Sequence, residues 1–278
     1  MIHLKALPRS PFNELKIEEI TQIACNDAAI YDKYKLDGVI VENMFDTPYL
    51  NPNIAIGPEI VACMTKVCCE IKRIYNRFSL YGVQVLTARN QEAIAIASAS
   101  GFNFVRSEGF VFAHIGDEGY INSDAGSLLR YRKSLDANIS VSVFVDVKKK
   151  HSSHAITGDT NVLETVQAAE FFRADGIILT GSATGVPASQ EEMNSIASHF
   201  EVKPRIPILI GSGISRKNFH LYNRAQGWII GSSFKTNGSW KNDVNEVCVR
   251  NFMRQYFEKY CDSKCLPVQS HETFNECS

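Results

Sequence analysis

Ile210-Gly211-Ser212-Gly213-Ile214 and Ile230-Gly231-Ser232-Ser233-Phe234 say more about this chain than any other stretch. Each is a Gly/Ser turn closing an apolar, β-branched run. Glycine lets a ligand approach the main chain, serine adds a hydroxyl, and successive N–H groups at such turns form concave anion sites. Two such turns, on consecutive strand–helix units late in the chain, match the phosphate site after the seventh and eighth strands of a (β/α)8 barrel. The competing reading is a pair of tight strand-to-helix turns. Gly211, Ser212, Gly213, Gly231, Ser232 and Ser233 are therefore the candidate phosphate-binding residues.

The same plan recurs upstream. Asp37-Gly38-Val39-Ile40-Val41-Glu42-Asn43, Asp175-Gly176-Ile177-Ile178-Leu179-Thr180-Gly181 and Gln226-Gly227-Trp228-Ile229-Ile230-Gly231-Ser232 each run polar residue, Gly, four apolar residues, then small or polar groups. Continuous apolar runs are the mark of parallel strands buried on both faces. Eight strand patterns fall near 2–7, 37–42, 80–86, 103–108, 139–146, 175–180, 206–211 and 227–231. Helical patterns follow at Ile17 to Tyr34, Pro58 to Arg77, Asn90 to Ser100, Ala125 to Ser134, Asn161 to Arg173, Gln190 to Phe200, Arg216 to Arg224 and Val244 to Tyr260. The sequence thus predicts an α/β fold, a single TIM-type barrel over 1–260, with 261–278 as a flexible polar tail. Asp124, and Asp159 or Thr160, are expected helix N-caps. Three connections on the carboxyl side of strands are long, 43–57, 108–123 and 147–160, and a barrel carries its chemistry on that face.

The 278 residues carry a formal charge of −1. Interspersed charges of both signs give no field that would gather nucleic acid or anionic membrane, which leaves a small molecule as the expected partner, bound by a monomer or a homo-oligomer. No apolar run approaches bilayer length and a strand pattern begins at Ile2, so a cytoplasmic location without a leader is expected. Cysteines at 25, 63, 68, 69, 248, 261, 265 and 277 lack paired CxxC spacing and read as reduced thiols without zinc.

Candidate chemistry gathers at strand ends. Asp146 and His151 offer a carboxylate and a group titrating near neutrality in one strand–loop unit, a candidate acid–base pair, with His154 a weaker second. Glu42 is a candidate base, Asn43 lies beside it, and Arg106 with Glu108 closes the fourth strand; Arg106 can fork onto a carboxylate or phosphate. An ion pair across the mouth is the alternative. His3 is placed to bind from the first strand, and Thr180 and Thr184 lie in a small-residue loop after the sixth. Lys148, Lys149 and Lys150 raise imine chemistry, although adjacent lysines also mark solvated charge. Asp146, Glu42 and a phosphate would together suit Mg²⁺, a hard ion that favours oxygen ligands. No other cofactor is indicated.

Ile2-His3-Leu4 with Leu7-Pro8-Arg9-Ser10-Pro11, Asp37 to Asn43, Leu128-Leu129-Arg130-Tyr131-Arg132, Asp146 with Lys150-His151, Thr180-Gly181-Ser182-Ala183-Thr184-Gly185 and both Gly/Ser turns together resemble the BtpA/SgcQ family over about residues 1 to 255. Lys235, Asn237-Gly238 and Asn242-Asp243-Val244 extend the likeness. The resemblance implies a ribulose-phosphate-binding-like barrel. It also implies a family named for a photosystem I biogenesis factor yet widespread enough for a more general role. A member from sugar-utilisation gene clusters points to a carbohydrate or nucleoside phosphate. Two positions depart from the family pattern. The segment Leu86-Thr87-Ala88-Arg89-Asn90-Gln91-Glu92 stands where members carry Leu-Arg-Asn-Asp, and Lys148 stands where members carry His. The expectation is an enzyme of phosphorylated sugar or nucleotide-related metabolism, an isomerase, lyase or nucleosidase. Its alternative is a non-catalytic barrel assisting assembly or stability of a protein complex.

Overall fold

The computed structural model describes residues 1–137, 140–181, 185–200 and 206–260. Thr184 and the segment 261–278 lie outside the described residues. Eight parallel strands, β1 (Ile2–His3), β2 (Gly38–Glu42), β3 (Leu80–Gln84), β4 (Phe104–Ser107), β7 (Ser142–Val147), β9 (Gly176–Leu179), β10 (Ile208–Ile210) and β11 (Gly227–Trp228), form one sheet in that order. The sheet curls. The Met1 ammonium donates to Ile230 O at 2.9 Å, so the first and last strands meet, although no ladder joins β1 to β11 among the described residues.

The helices α1 (Ile17–Lys33), α2 (Pro58–Ile74), α3 (Asn90–Ser100), α4 (Ala125–Ser134), α5 (Val162–Phe171), α6 (Gln190–Phe200) and α7 (Glu246–Tyr260) cover the outer face. Buried parallel strands still alternate. Val39, Val41, Val83, Val105, Val143, Val145, Ile177 and Ile210 join the large core under the helices, whereas Ile40, Phe104, Ile178 and Ile229 form a separate inner cluster with Met1, Phe144 and Leu209. One pleat further along, the inward positions are His3, Glu42, Gln84, Arg106, Asp146, Thr180, Gly211 and Gly231, a ring at the carboxyl ends of the strands.

Several expected elements differ. The stretch Arg216 to Arg224 forms a 3₁₀ turn, Phe219–Tyr222, in place of an α-helix. Asn218 is the cause: its Oδ1 accepts from Ser215 N at 2.8 Å and its Nδ2 donates to Gly213 O at 2.8 Å, so a side chain takes bonds a helix would need. The cap of α5 is Asn161, paired with Glu164 in a reciprocal box at 2.8 and 2.9 Å. Asp124 stands at the N-cap of α4 but makes no side-chain cap; its Oδ2 accepts from Asn90 Nδ2 at 3.0 Å.

The three long connections contain an unexpected sheet. β5 (His114–Gly116) and β6 (Gly119–Ile121) form a hairpin after β4, and β8 (Ser152–Ser153) after β7 pairs with β5. Asn51 donates to Glu118 O and Tyr120 O at 2.9 and 3.0 Å, tying the connection 43–57 to the same hairpin. All three connections therefore assemble over one end of the sheet. No helix among the described residues is long and apolar enough to cross a membrane, and the five described cysteines are free thiols.

Candidate functional site

At the carboxyl end of β4, Arg106 forks onto Asp146 of β7, Nε to Oδ1 and Nη2 to Oδ2, both at 2.9 Å and both residues buried. The bidentate contact and the nearby Glu42 and Glu108 hold the guanidinium pKa above its ordinary value despite burial. Its remaining nitrogen, Nη1, has no acceptor among the described residues. Arg106 Nη2 also lies 3.5 Å from where a Cβ would stand on Gly211, so the β4 and β10 positions share one space.

His3 Nε2 lies 3.4 Å from Glu42 Oε2. Burial lowers the imidazole pKa well below its ordinary value, with Lys235 adding to the effect, and burial raises that of Glu42. Both shifts disfavour the charged forms that a simple ion pair would need. Asn43 is spent on structure: its Nδ2 donates to Asp46 Oδ2 at 2.9 Å and its Oδ1 accepts from Leu86 N at 2.7 Å.

Glu108 is enclosed. Gln84 Nε2 and Ala88 N each donate to it at 3.1 Å, and Lys149 Nζ stands at 3.4 Å from it and at 4.0 Å from Glu118. Behind that cluster, His114 and His154 stack at 5.5 Å, and His154 Nε2 contacts Lys149 O at 3.0 Å. His114 is 4 % exposed and its pKa falls to about 4, through burial and then the charge of Lys149. His151 is exposed and left-handed, φ 54°. Its pKa is lowered by burial and by Lys150, with Asp117 opposing. Asp146 is thus brought to Arg106, and His151 to the outer rim.

The two Gly/Ser turns lie side by side, joined by Ser233 Oγ donating to Ile214 O at 2.5 Å. Ser212 Oγ accepts from Gly181 N at 2.8 Å and donates to Val186 O at 2.9 Å, which fixes the first turn to the loop after β9. The N–H groups of Ser212, Gly213, Gly231, Ser232 and Ser233 have no protein acceptor among the described residues. Thr180 Oγ1 is buried without a partner among the described residues. Gly213 has φ +67°, and a Cβ there would lie 2.3 Å from Pro187 N. A Cβ on Gly231 would meet the His3 ring at 3.6 Å and Met1 Cγ at 3.7 Å, both ordinary contacts, so the second turn opens toward His3.

Asp146 commits both oxygens to Arg106, and Glu42 faces His3. They do not present the free oxygen set that Mg²⁺ needs, and no cluster of three or more potential ligands occurs among the described residues. Sequence reasoning passed over Gln84, Glu118 and His114. Gln84 was detectable as the polar inward position of β3, two residues after Gly82; the others sit in loops without a periodic signal.

An α/β protein with a curled, eight-stranded parallel sheet, and polar groups collected at the carboxyl ends of its strands, is the class that fold and site define. Within it, the chain belongs to the BtpA family, whose model matches residues 1–258. It is 44 % identical over 257 residues to Uncharacterized protein F13E9.13, mitochondrial, of Caenorhabditis elegans, covering 91 % of this chain and 90 % of that one. It is 31 % identical to Photosystem I biogenesis protein BtpA of Synechocystis, covering 93 % and 87 %. Orotidine 5′-phosphate decarboxylase from Pyrococcus horikoshii has a similar fold, with TM-score 0.54 at 13 % identity over 84 % of this chain and 93 % of that one. So does thiamine phosphate pyrophosphorylase from Pyrococcus furiosus, TM-score 0.51 at 13 % identity over 82 % and 88 %.

Proposed function

We propose that this protein is a closed, ribulose-phosphate-binding-like (β/α)8 barrel over residues 1–260, and an enzyme of a phosphorylated sugar or nucleotide-related small molecule. The observation that carries the reading is the adjacency of the two turns, whose N–H groups have no protein acceptor among the described residues and stand next to His3 and Arg106. Similar folds in proteins named for orotidine 5′-phosphate and thiamine phosphate support it.

In this reading the turns hold the phosphate and Arg106, oriented by Asp146, directs Nη1 at a substrate oxygen. Glu42, whose pKa burial raises, serves as the proton carrier. His151 completes the rim. Isomerisation, lyase chemistry and glycosidic cleavage share these needs.

The test is calorimetric titration with inorganic phosphate and a panel of sugar and nucleoside phosphates. Gly231→Asp places a carboxylate at the second turn and should weaken binding at least about tenfold, roughly 1.4 kcal/mol, while Gly231→Ala stays near the parent. Equal affinity in parent and Gly231→Asp would sink the phosphate site. The name of the Synechocystis relative favours a second reading, a non-catalytic barrel serving assembly of a complex. A panel in which nothing binds or turns over moves the balance to it. Fractionation of tagged protein decides between the cytoplasm and the mitochondrion that the Caenorhabditis relative's name carries.

A further inference from the structure

Three consecutive lysines follow β7, and they meet three different environments. Lys148 donates to Thr160 O and so clamps the start of α5. Lys149 is buried and ion-paired with Glu108 and Glu118. Lys150 Nζ has no hydrogen-bond or ion-pair partner among the described residues. Yet it is largely withdrawn from water, and its charge acts on His3 as well as on Glu42.

The backbone explains the separation. Lys148 (φ 46°) and His151 (φ 54°) are both left-handed, a conformation that non-glycine residues adopt at a cost. The two reversals bracket Lys149 and Lys150. Lys149 turns toward Glu118 of the hairpin, and Lys150 is left near enough to His3, Glu42, Arg106 and Asp146 for charge to be felt between them. A merely solvated lysine run would need neither reversal.

We propose that Lys150 is a nucleophile toward carbonyl carbon: its Nζ forms an imine with an aldehyde or ketone of a phosphate-bearing substrate. The inference deepens the reading above and rests on it for the phosphate. The lone pair of neutral Nζ attacks the carbonyl carbon, the C=O π bond breaks, and one nitrogen proton passes to the oxygen to give the carbinolamine. Glu42, as the carboxylic acid, then protonates that hydroxyl; the C–O bond breaks, water leaves, and the C=N⁺ bond forms beside a Glu42 carboxylate. No electron donor or acceptor is involved. Burial, with Arg106 nearby, lowers the Lys150 pKa and enlarges the neutral fraction that this step requires.

The probe is pyridoxal 5′-phosphate, an aldehyde that carries a phosphate, reduced in place with borohydride on the full chain and followed by intact mass and peptide mapping. One label per chain, on Lys150, is expected. Lys150→Arg should lose it and Lys148→Arg should keep it. Pyridoxal, which lacks the phosphate, should label Lys150 at least about tenfold more slowly, and inorganic phosphate should compete. Label spread over exposed lysines in the parent would overturn the proposal, and mapping the parent decides this even if Lys150→Arg does not fold. Phosphate binding by calorimetry would then still stand. Rapid labelling of Lys150 by both aldehydes would instead keep the nucleophile and remove the phosphate grip.

Discussion

The two ends of the sheet interior are built on the same inward-facing positions, two residues apart, and they could hardly differ more. At the amino ends these positions carry Met1, Ile40, Phe104, Leu209 and Ile229, which border an apolar cavity of about 500 Å³ beside Trp228 and α7. At the carboxyl ends they carry His3, Glu42, Arg106 and Asp146, and a neighbouring void behind Asp146, Lys149 and His114 holds only about 20 Å³. The apolar end is underfilled. The ionic end instead sets its charges against one another inside the protein, Arg106 on Asp146 and Lys149 on Glu108. Unpaired charge is costly away from water, whereas a missing methylene costs far less.

The sharpest way to break this contrast is Arg106→Met, which strands buried Asp146 without its partner. A loss of about 3–5 kcal/mol in denaturant unfolding is expected. A change below 1 kcal/mol would mean that water already screens the pair.

Acid should find the ionic end first. The folded pKa of His114 is about 4 against an ordinary 6.5. The native state therefore binds fewer protons than the unfolded chain between those values. Stability from this residue is intact above pH 6.5, falls as pH drops through that window, and is lost by about pH 4, a contribution of at most about 3 kcal/mol. The groups facing the ring are Lys149, His154, Glu118 and Asp146. His114→Gln should narrow the difference in unfolding free energy between pH 7 and pH 4 relative to the parent. An unchanged difference assigns the acid sensitivity elsewhere.

The two glycine turns should separate next. Gly213→Ala forces a Cβ against the Pro187 backbone at positive φ and should cost about 1–3 kcal/mol, whereas Gly231→Ala should cost under about 1 kcal/mol. Equal thermal midpoints would contradict the packing of the first turn. A binding test at Gly213 confounds folding with affinity, which makes Gly231 the cleaner probe. The smallest effect belongs to the apolar end: Leu209→Phe should stay within about 1 kcal/mol because it grows into open volume, while Ile178→Phe in the sealed part of the same cluster should cost about 1–3 kcal/mol. Similar losses for both would show the cavity to be closed in solution.

Much of this contrast could be read from the sequence. The apolar runs announce buried parallel strands, and within them Ile40-x-Glu42, Phe104-x-Arg106, Phe144-x-Asp146, Ile178-x-Thr180, Leu209-x-Gly211 and Ile229-x-Gly231 repeat one step from apolar layer to functional layer. Period-two geometry turns that step into a ring. The fates of Lys148, Lys149 and Lys150 were not legible, because they depend on left-handed turns at Lys148 and His151, and nothing in those residue types signals such turns. Nor was the hairpin legible. Its strands are three residues long, and β8 has two, so their pairing is set by where β4 and β7 deliver the chain. Asp146 and His151 looked like partners from their spacing, but Arg106 sits on the adjacent strand and reaches the carboxylate first.

The position of β5 between β6 and β8 gives the mouth a mechanical character. Residues 108–123 and 147–160 are separate excursions along the chain, each free to fluctuate if left alone. Laddered together they become a single plate, with the entropy of one loop rather than two. Asn51 rivets a third excursion to that plate. A displacement of any one excursion must break or drag these bonds, so access to the ring of His3, Glu42, Arg106 and Asp146 is expected as a collective event in place of three independent flickers.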